Sequence, residues 1–428
     1  MIYQRRFDAP AESGELREDI HAVLERLGNR KKVLIIPPDF TRHHTQAGQL
    51  AEYIWEFYRG GTVVVLPALG THIGMTRQEI HQMFGRIPPE IFRVHNWRND
   101  AATYGRISAE EVHALTDGVV DFDWPLQLNR DVVEGGYDLV LIVGQVVPHE
   151  VAGMAGFNKM LLVGLSGMES IHKSHFTGAM AGIEQVMGRE KNPVRSLFEA
   201  GMRLLPEPLP IVYVQSVSGM DAAGHYAIRG LFIGDDAGSY SAACRLSLEL
   251  NVTCVERPLQ KVVVHLDPHE YQSTWLGNKS IYRTRMAIAE GGELIVLAPG
   301  VKRFGEDGDI DRLIRRHGYA GKKRILERID EDPELKSNLG AAAHLIHGSP
   351  EDRFRVTYCA GHLSRQEIEA VGYRYERLPA ALKKYYAGPV KDGWGTMQGG
   401  EEIYSISNPA TGLWSTKEKI KDIEIHHR

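Results

Sequence analysis

Ionisable residues follow three apolar segments of strand length in the N-terminal half of the chain. The segments and the residues that follow them are 33–36 with Asp39 and Arg42, 63–66 with His72, and 139–143 with His149. Ligand sites in open α/β sheets lie beyond the carboxyl ends of the strands, so these loops are expected to build one site. Two histidines at separate strand ends suit proton transfer on both faces of a substrate. For either histidine alone, a loop cap or a bond to a backbone carbonyl is an equal alternative.

The segment Asp39-Phe-Thr-Arg42 is a candidate anion site. The guanidinium of Arg42 is a planar fork that matches a carboxylate or a phosphate, and Asp39 could orient it. A turn aspartate followed by a solvated arginine is the alternative, and read alone it is the commoner case.

A glycine-spaced loop follows His149 and ends at Lys159, with Gly153 and Gly156 inside it. Glycines let the backbone approach a ligand closely. Their spacing matches neither GxxxxGK[ST] nor GxGxxG, so the nucleotide signal is weak. Lys159 precedes the apolar residues 160–162, and such a lysine could have a lowered pKa and act as a nucleophile. A surface lysine is the alternative.

His172 and His175 lie three residues apart and would share one side of a helix. That spacing resembles half of a metal site, but no HExxH motif accompanies it.

Gln272, Trp275 and Lys279 are spaced i, i+3 and i+7 after an apolar segment in the C-terminal half. This spacing predicts one helix face that mixes polar and aromatic groups, as in a wall that closes over a polar ligand. A helix turn at the surface is the alternative.

Strands and helices alternate along the chain, which predicts an α/β protein with mostly parallel sheets. A length of 428 residues favours two domains. The pattern restarts near Arg257, so the predicted domains are 1–257 and 258–399, with an active-site cleft between them. The tail from about 400 to 428 is a candidate to return to the first domain.

Composition excludes several classes of protein. A net charge of −5 and a pI near 6.4 give no reason to expect a nucleic-acid or anionic membrane partner. Three cysteines without CxxC spacing argue against a thiolate zinc site or a disulfide framework. The N-terminus has no apolar signal segment, and no run approaches the about 18 apolar residues of a membrane span. A cytoplasmic protein is expected.

Several spaced motifs, in this order, resemble the lactate racemase family, whose members use a nickel-pincer nucleotide. The matching motifs are Asp39-x-Thr41-Arg42, Gly70-Thr71-His72, Pro148-His149 with Lys159 and His175 after it, Asn192-Pro193-Val194-Arg195, and the segment from Asp267 to Gln272. The resemblance covers about residues 30 to 300.

The resemblance implies a covalent cofactor. This is pyridinium-3-thioamide-5-thiocarboxylic acid mononucleotide with Ni(II), bound through Lys159, with Thr41 and Gly156 as further cofactor-binding residues. His175 would be the protein's nickel ligand, and four in-plane donors that include sulfur and imidazole suit Ni(II). The proteins that make and load the cofactor would be partners.

The resemblance also implies an isomerase, a racemase or epimerase that inverts C2 of a small-molecule 2-hydroxy acid by reversible hydride transfer. His72 and His149 would be the two acid/base groups. Arg42 and Gln272 would hold the substrate carboxylate or its neighbours, with Asp39 in support.

Two departures from the family pattern concern the pocket. Trp275 replaces a lysine of the lactate-acting members, and Lys279 lies one helical turn further on. An indole with polar neighbours suits a longer polyhydroxy acid, such as an aldonic acid, better than lactate. Phe157 and Asn158 replace a glycine and an arginine, which predicts a changed pocket wall.

Two other functions stay open on the sequence. One is a metal-dependent hydrolase that uses His72, His149 and His175. The other is a non-catalytic cofactor-binding or sensor protein that kept the pocket and lost turnover.

Overall fold

The computed structural model of the chain describes residues 1–220, 226–386, 391–397, 399–410 and 412–420. The backbone divides into two compact units. The first comprises Met1–Thr177 and Val186–Asn251, and the second comprises Gly178–Gln185 and Val252–Arg428. Each unit is built on its own six-stranded sheet.

The elements up to residue 251 are ten strands and ten α-helices within the described residues. The strands are β1 (Tyr3–Arg6), β2 (Lys32–Ile36), β3 (Thr62–Val65), β4 (Ala101–Ile107), β5 (Trp124–Asn129), β6 (Leu139–Gln145), β7 (Pro148–His149), β8 (Gly153–Met154), β9 (Ile211–Met220) and β10 (Tyr226–Gly234). The helices are α1 (Ser13–Leu27), α2 (Ala47–Tyr58), α3 (Arg77–Phe84), α4 (Ala109–Leu115), α5 (Arg130–Glu134), α6 (Lys159–Leu162), α7 (Met168–Ala181), α8 (Ile183–Val186), α9 (Pro193–Met202) and α10 (Ala237–Asn251). Short 3-10 helices lie at Phe40–Thr45 and Pro89–Ile91.

The sheet of the first unit has the order β1-β10-β9-β6-β2-β3. Strands β3, β2, β6 and β9 are parallel, and β10 and β1 are antiparallel. The chain runs from β2 to β3 on one side and then to β6 on the other side of β2. The point between β2 and β6 is therefore a topological switch point, where open α/β sheets place their ligands.

Apolar side chains on one face of this sheet pack against α1 and α2. Ile20 of α1 and Ile54 of α2 pack in the same cluster as Val33 and Ile35 of β2. The apolar residues 33–36 of β2 are all buried, as is typical of a strand in the middle of a parallel sheet.

The elements after residue 251 form the second unit. Its strands are β11 (Val252–Val255), β12 (Leu259–His265), β13 (Ile288–Ala298), β14 (Arg355–Ala360), β15 (Arg374–Tyr375), β16 (Gly393–Thr396), β17 (Glu402–Ile406) and β18 (Leu413–Thr416). Its helices are α11 (Thr274–Gly277), α12 (Lys279–Thr284), α13 (Gly308–His317), α14 (Lys322–Glu331), α15 (Pro333–Ser337), α16 (Leu339–His347), α17 (Arg365–Ala370) and α18 (Leu378–Tyr385). No helix of the described residues combines the length and the apolar character that a bilayer crossing requires.

The sheet of the second unit has the order β15-β14-β13-β12-β17-β16, and only β16 runs antiparallel to its neighbour. Both units are thus α/β structures with mostly parallel sheets, which confirms the predicted fold class.

The described part of the tail corrects one prediction. The tail pairs with the second unit instead of returning to the first: β17 lies beside β12, and β18 lies beside β11. Ile403 and Ile406 of β17 are fully buried there. Their apolar side chains complete the core of the second sheet.

Candidate active site

Three loops of the first unit carry the ionisable residues that the sequence singled out. Asp39 follows β2, His72 follows β3, and His149 ends β7, shortly after β6. Because β3, β2 and β6 are parallel neighbours, these loops leave the same edge of the sheet, around its switch point.

Asp39 and His72 form a buried acid–imidazole pair. Asp39 is 5% exposed; its Oδ1 accepts the backbone N–H of Thr41 at 3.1 Å, and its Oδ2 contacts His72 Nδ1. Burial alone would raise the pKa of Asp39, but His72, Arg42 and Thr41 hold it well below its usual range. A carboxylate only accepts hydrogen bonds, so His72 donates from Nδ1, and in the neutral form of the ring the lone pair lies on Nε2.

Arg42 is half-buried at the end of the same loop. Its Nη1 donates to the backbone carbonyl of Thr41 at 3.2 Å and to the Thr41 hydroxyl at 3.1 Å. Its charge acts on Asp39 and on Lys159. The guanidinium is therefore hydrogen-bonded within its own loop while it remains partly exposed.

His149 is held by the tight turn between β7 and β8. Its Nδ1 accepts backbone N–H groups from Val151 at 3.1 Å and from Ala152 at 3.3 Å. Its Nε2 lies 4.0 Å from Glu150 Oε1, beyond hydrogen-bond distance. The loop cap considered for this histidine is therefore present.

The loop between His149 and Lys159 depends on positive φ angles. Gly153 and Gly156 have φ of +75° and +80°, and a Cβ on Gly153 would lie 1.9 Å from the Arg189 carbonyl oxygen. Phe157 has φ of +56°, where glycine is the usual residue. Its ring stacks on Tyr240 at 4.9 Å, which offsets the backbone strain.

Lys159 begins α6 and is half-buried. Burial, together with the charges of Arg42 and Arg195, lowers the pKa of Lys159 to about 8, against the opposing carboxylates of Glu150 and Asp39. Part of this amine is neutral near neutral pH, as a nucleophilic lysine requires.

Arg195 holds the loop that carries Lys159, a role that the sequence did not reveal. It is 2% exposed; its Nε donates to the Ala152 carbonyl at 3.1 Å and its Nη1 to Asn158 Oδ1 at 2.6 Å. Asn192 caps α9 and also donates to the Ala152 carbonyl, at 3.2 Å. The sequence analysis placed Asn192 and Arg195 in one motif of the family resemblance, but it did not predict that the arginine is buried.

His175 has the arrangement of a metal ligand. Its Nδ1 donates to the Ile171 carbonyl at 2.7 Å, so Nε2 keeps the lone pair. Burial lowers the pKa of His175 to about 4, and the charge of Lys159 acts in the same direction. The imidazole is neutral at pH 7, the form that binds metals.

The other candidate metal ligands do not gather around His175. His172 is buried with its ring 5.9 Å from that of Trp97. Within the described parts of the chain, no three or more histidine, cysteine, aspartate or glutamate side chains group around a possible metal position. A metal at His175 would therefore need ligands from another group. This fits a cofactor that brings its own donors and counts against the three-histidine hydrolase.

The prediction that Gln272, Trp275 and Lys279 share one helix face is wrong. Helix α11 covers Thr274–Gly277 and α12 starts at Lys279, while Gln272 precedes both. The chain leaves one helix and starts another at Asn278, so the spacing i, i+3, i+7 does not produce one face. Lys279 is 7% exposed, with its Nζ 5.9 Å from the centre of the Tyr271 ring.

Trp275 is fixed by a network that sequence reasoning missed. Its indole stacks on the ring of His344 at 4.2 Å. The two nitrogens of that histidine bond to the hydroxyls of Tyr282, at 2.8 Å, and Tyr319, at 2.9 Å. His344 lies far from Trp275 in the sequence, and no periodic pattern joins them.

A model of the family described as "Lactate racemase N-terminal domain" matches residues 14–188. This segment of the chain is therefore similar to the N-terminal domain of the lactate racemase family. The matched segment contains Asp39, Thr41, Arg42, His72, His149, Gly156, Lys159 and His175, so every site residue proposed in the first unit lies within the family domain.

Relatives extend the likeness beyond that domain. A lactate racemase from Thermoanaerobacterium thermosaccharolyticum is 26% identical over 292 residues, which are 65% of this chain and 62% of the relative. The match thus spans about three-fifths of that relative's length.

Two solved structures share the fold. A protein from Thermotoga maritima matches 96% of this chain and 100% of its own, with a TM-score of 0.83 and 24% identity. The lactate racemase apoprotein from T. thermosaccharolyticum matches 93% of this chain and 92% of its own, with a TM-score of 0.68 and 18% identity.

Proposed function

We propose that the chain is an isomerase, a racemase or epimerase that inverts C2 of a 2-hydroxy acid with a nickel-pincer nucleotide. The observation that carries the proposal is the hydrogen bond from His175 Nδ1 to the Ile171 carbonyl at 2.7 Å, which leaves Nε2 for a metal. Lys159, whose pKa is lowered to about 8 and whose charge acts on His175, would be the tether of the cofactor.

The residues present suit such a group. The neutral amine of Lys159 would form the covalent bond, His175 Nε2 would bind Ni(II), and Thr41 and Gly156 would lie beside the nucleotide. The fit rests on the donor set, since the described residues offer a metal one prepared imidazole and no cage of three ligands. The chemistry that the group would supply there is a reversible acceptor for the C2 hydride of the substrate.

The chain's own residues would bind the substrate and move its proton. Arg42 would hold the carboxylate through its planar fork. His72 would take the hydroxyl proton at Nε2, and Asp39 would stabilise the resulting imidazolium. His149, at a neighbouring strand end, would face the same oxygen. The family resemblance implies a substrate-binding role for Gln272, which we retain as a proposal.

We further propose a longer polyhydroxy acid, such as an aldonic acid, as the substrate. Trp275 supplies no charge and lies flat on His344, so a substrate would meet a rigid aromatic surface at this position. Lys279 is a proposed substrate ligand as well, although its burial beside Tyr271 leaves its ammonium little reach. Hydroxylated carbon chains pack well on indole faces.

Intact-protein mass spectrometry after co-expression with cofactor-making proteins tests the tether. Wild type should gain the mass of the cofactor, and Lys159→Ala and Lys159→Arg should not. Lys191→Ala, at an exposed lysine, is the matched control and should gain the mass. An unchanged wild-type mass under all loading conditions would overturn the proposal.

A substrate panel tests the reaction. Loaded protein is incubated with lactate, malate, 2-hydroxyglutarate and gluconate, and the isomers are separated by chiral chromatography. We expect inversion of the longest acid. Turnover of lactate alone would refute the polyhydroxy substrate, and a mass adduct with no inversion of any acid would identify a sensor.

A further inference from the structure

The turn at residues 163–167 joins the two helices that would hold the cofactor. It follows α6, which begins at Lys159, and it precedes α7, which carries His175. The turn is only five residues long, so its path determines how the Lys159 and His175 side chains are placed relative to each other.

Three successive carbonyl groups of this turn accept hydrogen bonds from three other segments of the first unit. Two of the donors are backbone groups. The N–H of Gly70 donates to the Gly164 carbonyl at 2.8 Å, and the N–H of Asn129 donates to the Leu165 carbonyl at 2.8 Å. Gly70 lies two residues before His72, so the loop of the proposed base is attached to the same turn.

The third donor is the side chain of His95. Its Nε2 lies 3.0 Å from the Ser166 carbonyl oxygen, and its Nδ1 lies 3.0 Å from Asn129 Nδ2. A carbonyl only accepts hydrogen bonds, so the ring proton is on Nε2, and Nδ1 accepts from the amide of Asn129. Asn129 Oδ1 accepts the N–H of Asp131 at 2.9 Å, which fixes the orientation of that amide.

Burial keeps the His95 imidazole in this neutral form. The side chain is 2% exposed, and burial lowers its pKa against the opposing charge of Asp100. Both ring nitrogens are thus used, one towards the turn and one towards Asn129, at the end of β5.

The carbonyl of Ser166 depends on this donor. If α7 extended back by one turn, the N–H of Ser170 would bond this carbonyl, but it donates to Gln127 Oε1 at 3.2 Å instead. The Ser166 hydroxyl donates to the Gln127 carbonyl at 2.6 Å. His95 therefore supplies the hydrogen bond that the helix does not provide.

We propose that His95 is a positioning residue for the cofactor: its bond to Ser166 holds the 163–167 turn, and the turn keeps the Lys159 tether and the His175 metal ligand at a fixed separation. This rests on the proposed function. One cofactor must meet a covalent bond at one helix and a metal–imidazole bond at the next. A small displacement of the turn would weaken the coordination bond first, because the covalent bond persists.

Hydrogen exchange of the cofactor-free protein, read by peptide mass spectrometry, tests the hold on the turn. His95→Leu removes both hydrogen bonds, and the amides of 163–171 should exchange about tenfold faster. His95→Gln keeps an N–H donor for the Ser166 carbonyl and should exchange like wild type. His113→Leu, at an exposed histidine, is the matched control. Unchanged exchange in His95→Leu would overturn the proposal.

Nickel retention by the loaded protein tests the positioning role. Denaturing mass spectrometry counts the covalent adduct, and native mass spectrometry counts the nickel on it. His95→Leu should keep the adduct but lose nickel at about tenfold lower chelator concentration, and His95→Gln should retain it like wild type. His95→Asn, a milder change that keeps only the bond to Asn129, should behave like His95→Leu.

A variant with a cavity elsewhere separates positioning from general stability. Ile20→Ala removes apolar atoms from the core that α1 and α2 share with β2, and it should destabilise the first unit without loss of nickel. Equal nickel retention in wild type and His95→Leu, or an equal loss in Ile20→Ala and His95→Leu, would overturn the positioning role.

A wild-type protein that gains no adduct would overturn the proposed function and the positioning role with it. A wild-type protein that gains the adduct, while His95→Leu retains nickel, would overturn the positioning role alone.

Discussion

Asp39 and Asp267 occupy equivalent positions in the two sheets but have different surroundings. Asp39 follows β2, which lies between β3 and β6, and Asp267 follows β12, which lies between β13 and β17. Both accept backbone N–H groups of the next turn: Asp39 from Thr41, and Asp267 from His269 at 2.7 Å and Glu270 at 3.2 Å. Only Asp39 is buried, with His72 on its other oxygen.

The difference shows that a turn aspartate becomes a functional group through what surrounds it. Asp267 is exposed, so water screens its charge and its carboxylate serves the turn. Burial makes the charge of Asp39 costly unless it is paired, and His72 and Arg42 supply the pairing. The same backbone motif is therefore structural in one sheet and suited to catalysis in the other.

Removing the charge at each aspartate tests this contrast most strongly. Asp39→Asn should lower kcat of loaded enzyme by about 10³- to 10⁴-fold, because His72 loses the group that fixes its tautomer and stabilises its imidazolium. Asp267→Asn is the matched control and should change kcat by less than about twofold, since an exposed turn residue contributes little. Chiral product analysis measures both. Similar losses in the two variants would remove the distinction.

The second prediction compares the reactivity of one lysine from each unit, Lys159 and Lys279. The neutral fraction of Lys159 should rise as the pH passes about 8, because burial and neighbouring charges favour its neutral form. Acylation of the cofactor-free protein over a pH series, read by peptide mass spectrometry, measures this. Lys279, buried in the second unit, should stay unmodified. A rate for Lys159 that is still climbing steeply above pH 10 would contradict the lowered pKa.

The arginine that supports the Lys159 loop should matter for stability. Arg195→Met leaves the carbonyl of Ala152 and the side chain of Asn158 without this donor, so we expect a loss of about 2–4 kcal/mol in the free energy of unfolding. Arg203→Met, at the exposed end of the same helix, is the control and should cost less than about 0.5 kcal/mol. Denaturant unfolding measures both. Equal denaturation midpoints of the two variants would show that the hydrogen bonds of Arg195 contribute nothing to stability.

A substitution at Trp275 in the second unit has the smallest expected effect. Trp275→Lys removes the stack on His344 and restores the charge of the lactate-acting members, so lactate turnover should rise about tenfold relative to gluconate. Stability should fall by about 0.5–1.5 kcal/mol with the lost aromatic contact. Trp394→Lys, at an exposed tryptophan, is the control. An unchanged ratio of the two substrates would exclude Trp275 from specificity.

The residues near strand ends were predictable because an apolar run and the loop after it are local in sequence. Asp39, His72 and His149 follow such runs, and parallel pairing brings their loops to one edge. That reasoning left the choice between a turn aspartate and an ion-paired one open, since the choice depends on burial.

The contacts that sequence reasoning missed join distant segments. Arg195 meets Ala152 and Asn158 only in the folded chain, and Trp275 meets His344 in the same way. The helix break at Asn278 also escaped, because side-chain spacing alone does not show where one helix ends and another begins.

Under the proposed function, the positive φ of Phe157 bears on how the chain would acquire the nucleotide. With the aromatic ring wedged between Tyr213 and Tyr240, this stretch has little freedom to rearrange, and the lysine two residues later is pre-positioned. Arrival of a nucleotide would therefore incur almost no ordering entropy. The rate of nucleotide loading would then depend on bond formation at the Lys159 amine. A purified, folded chain should still be able to bind the nucleotide.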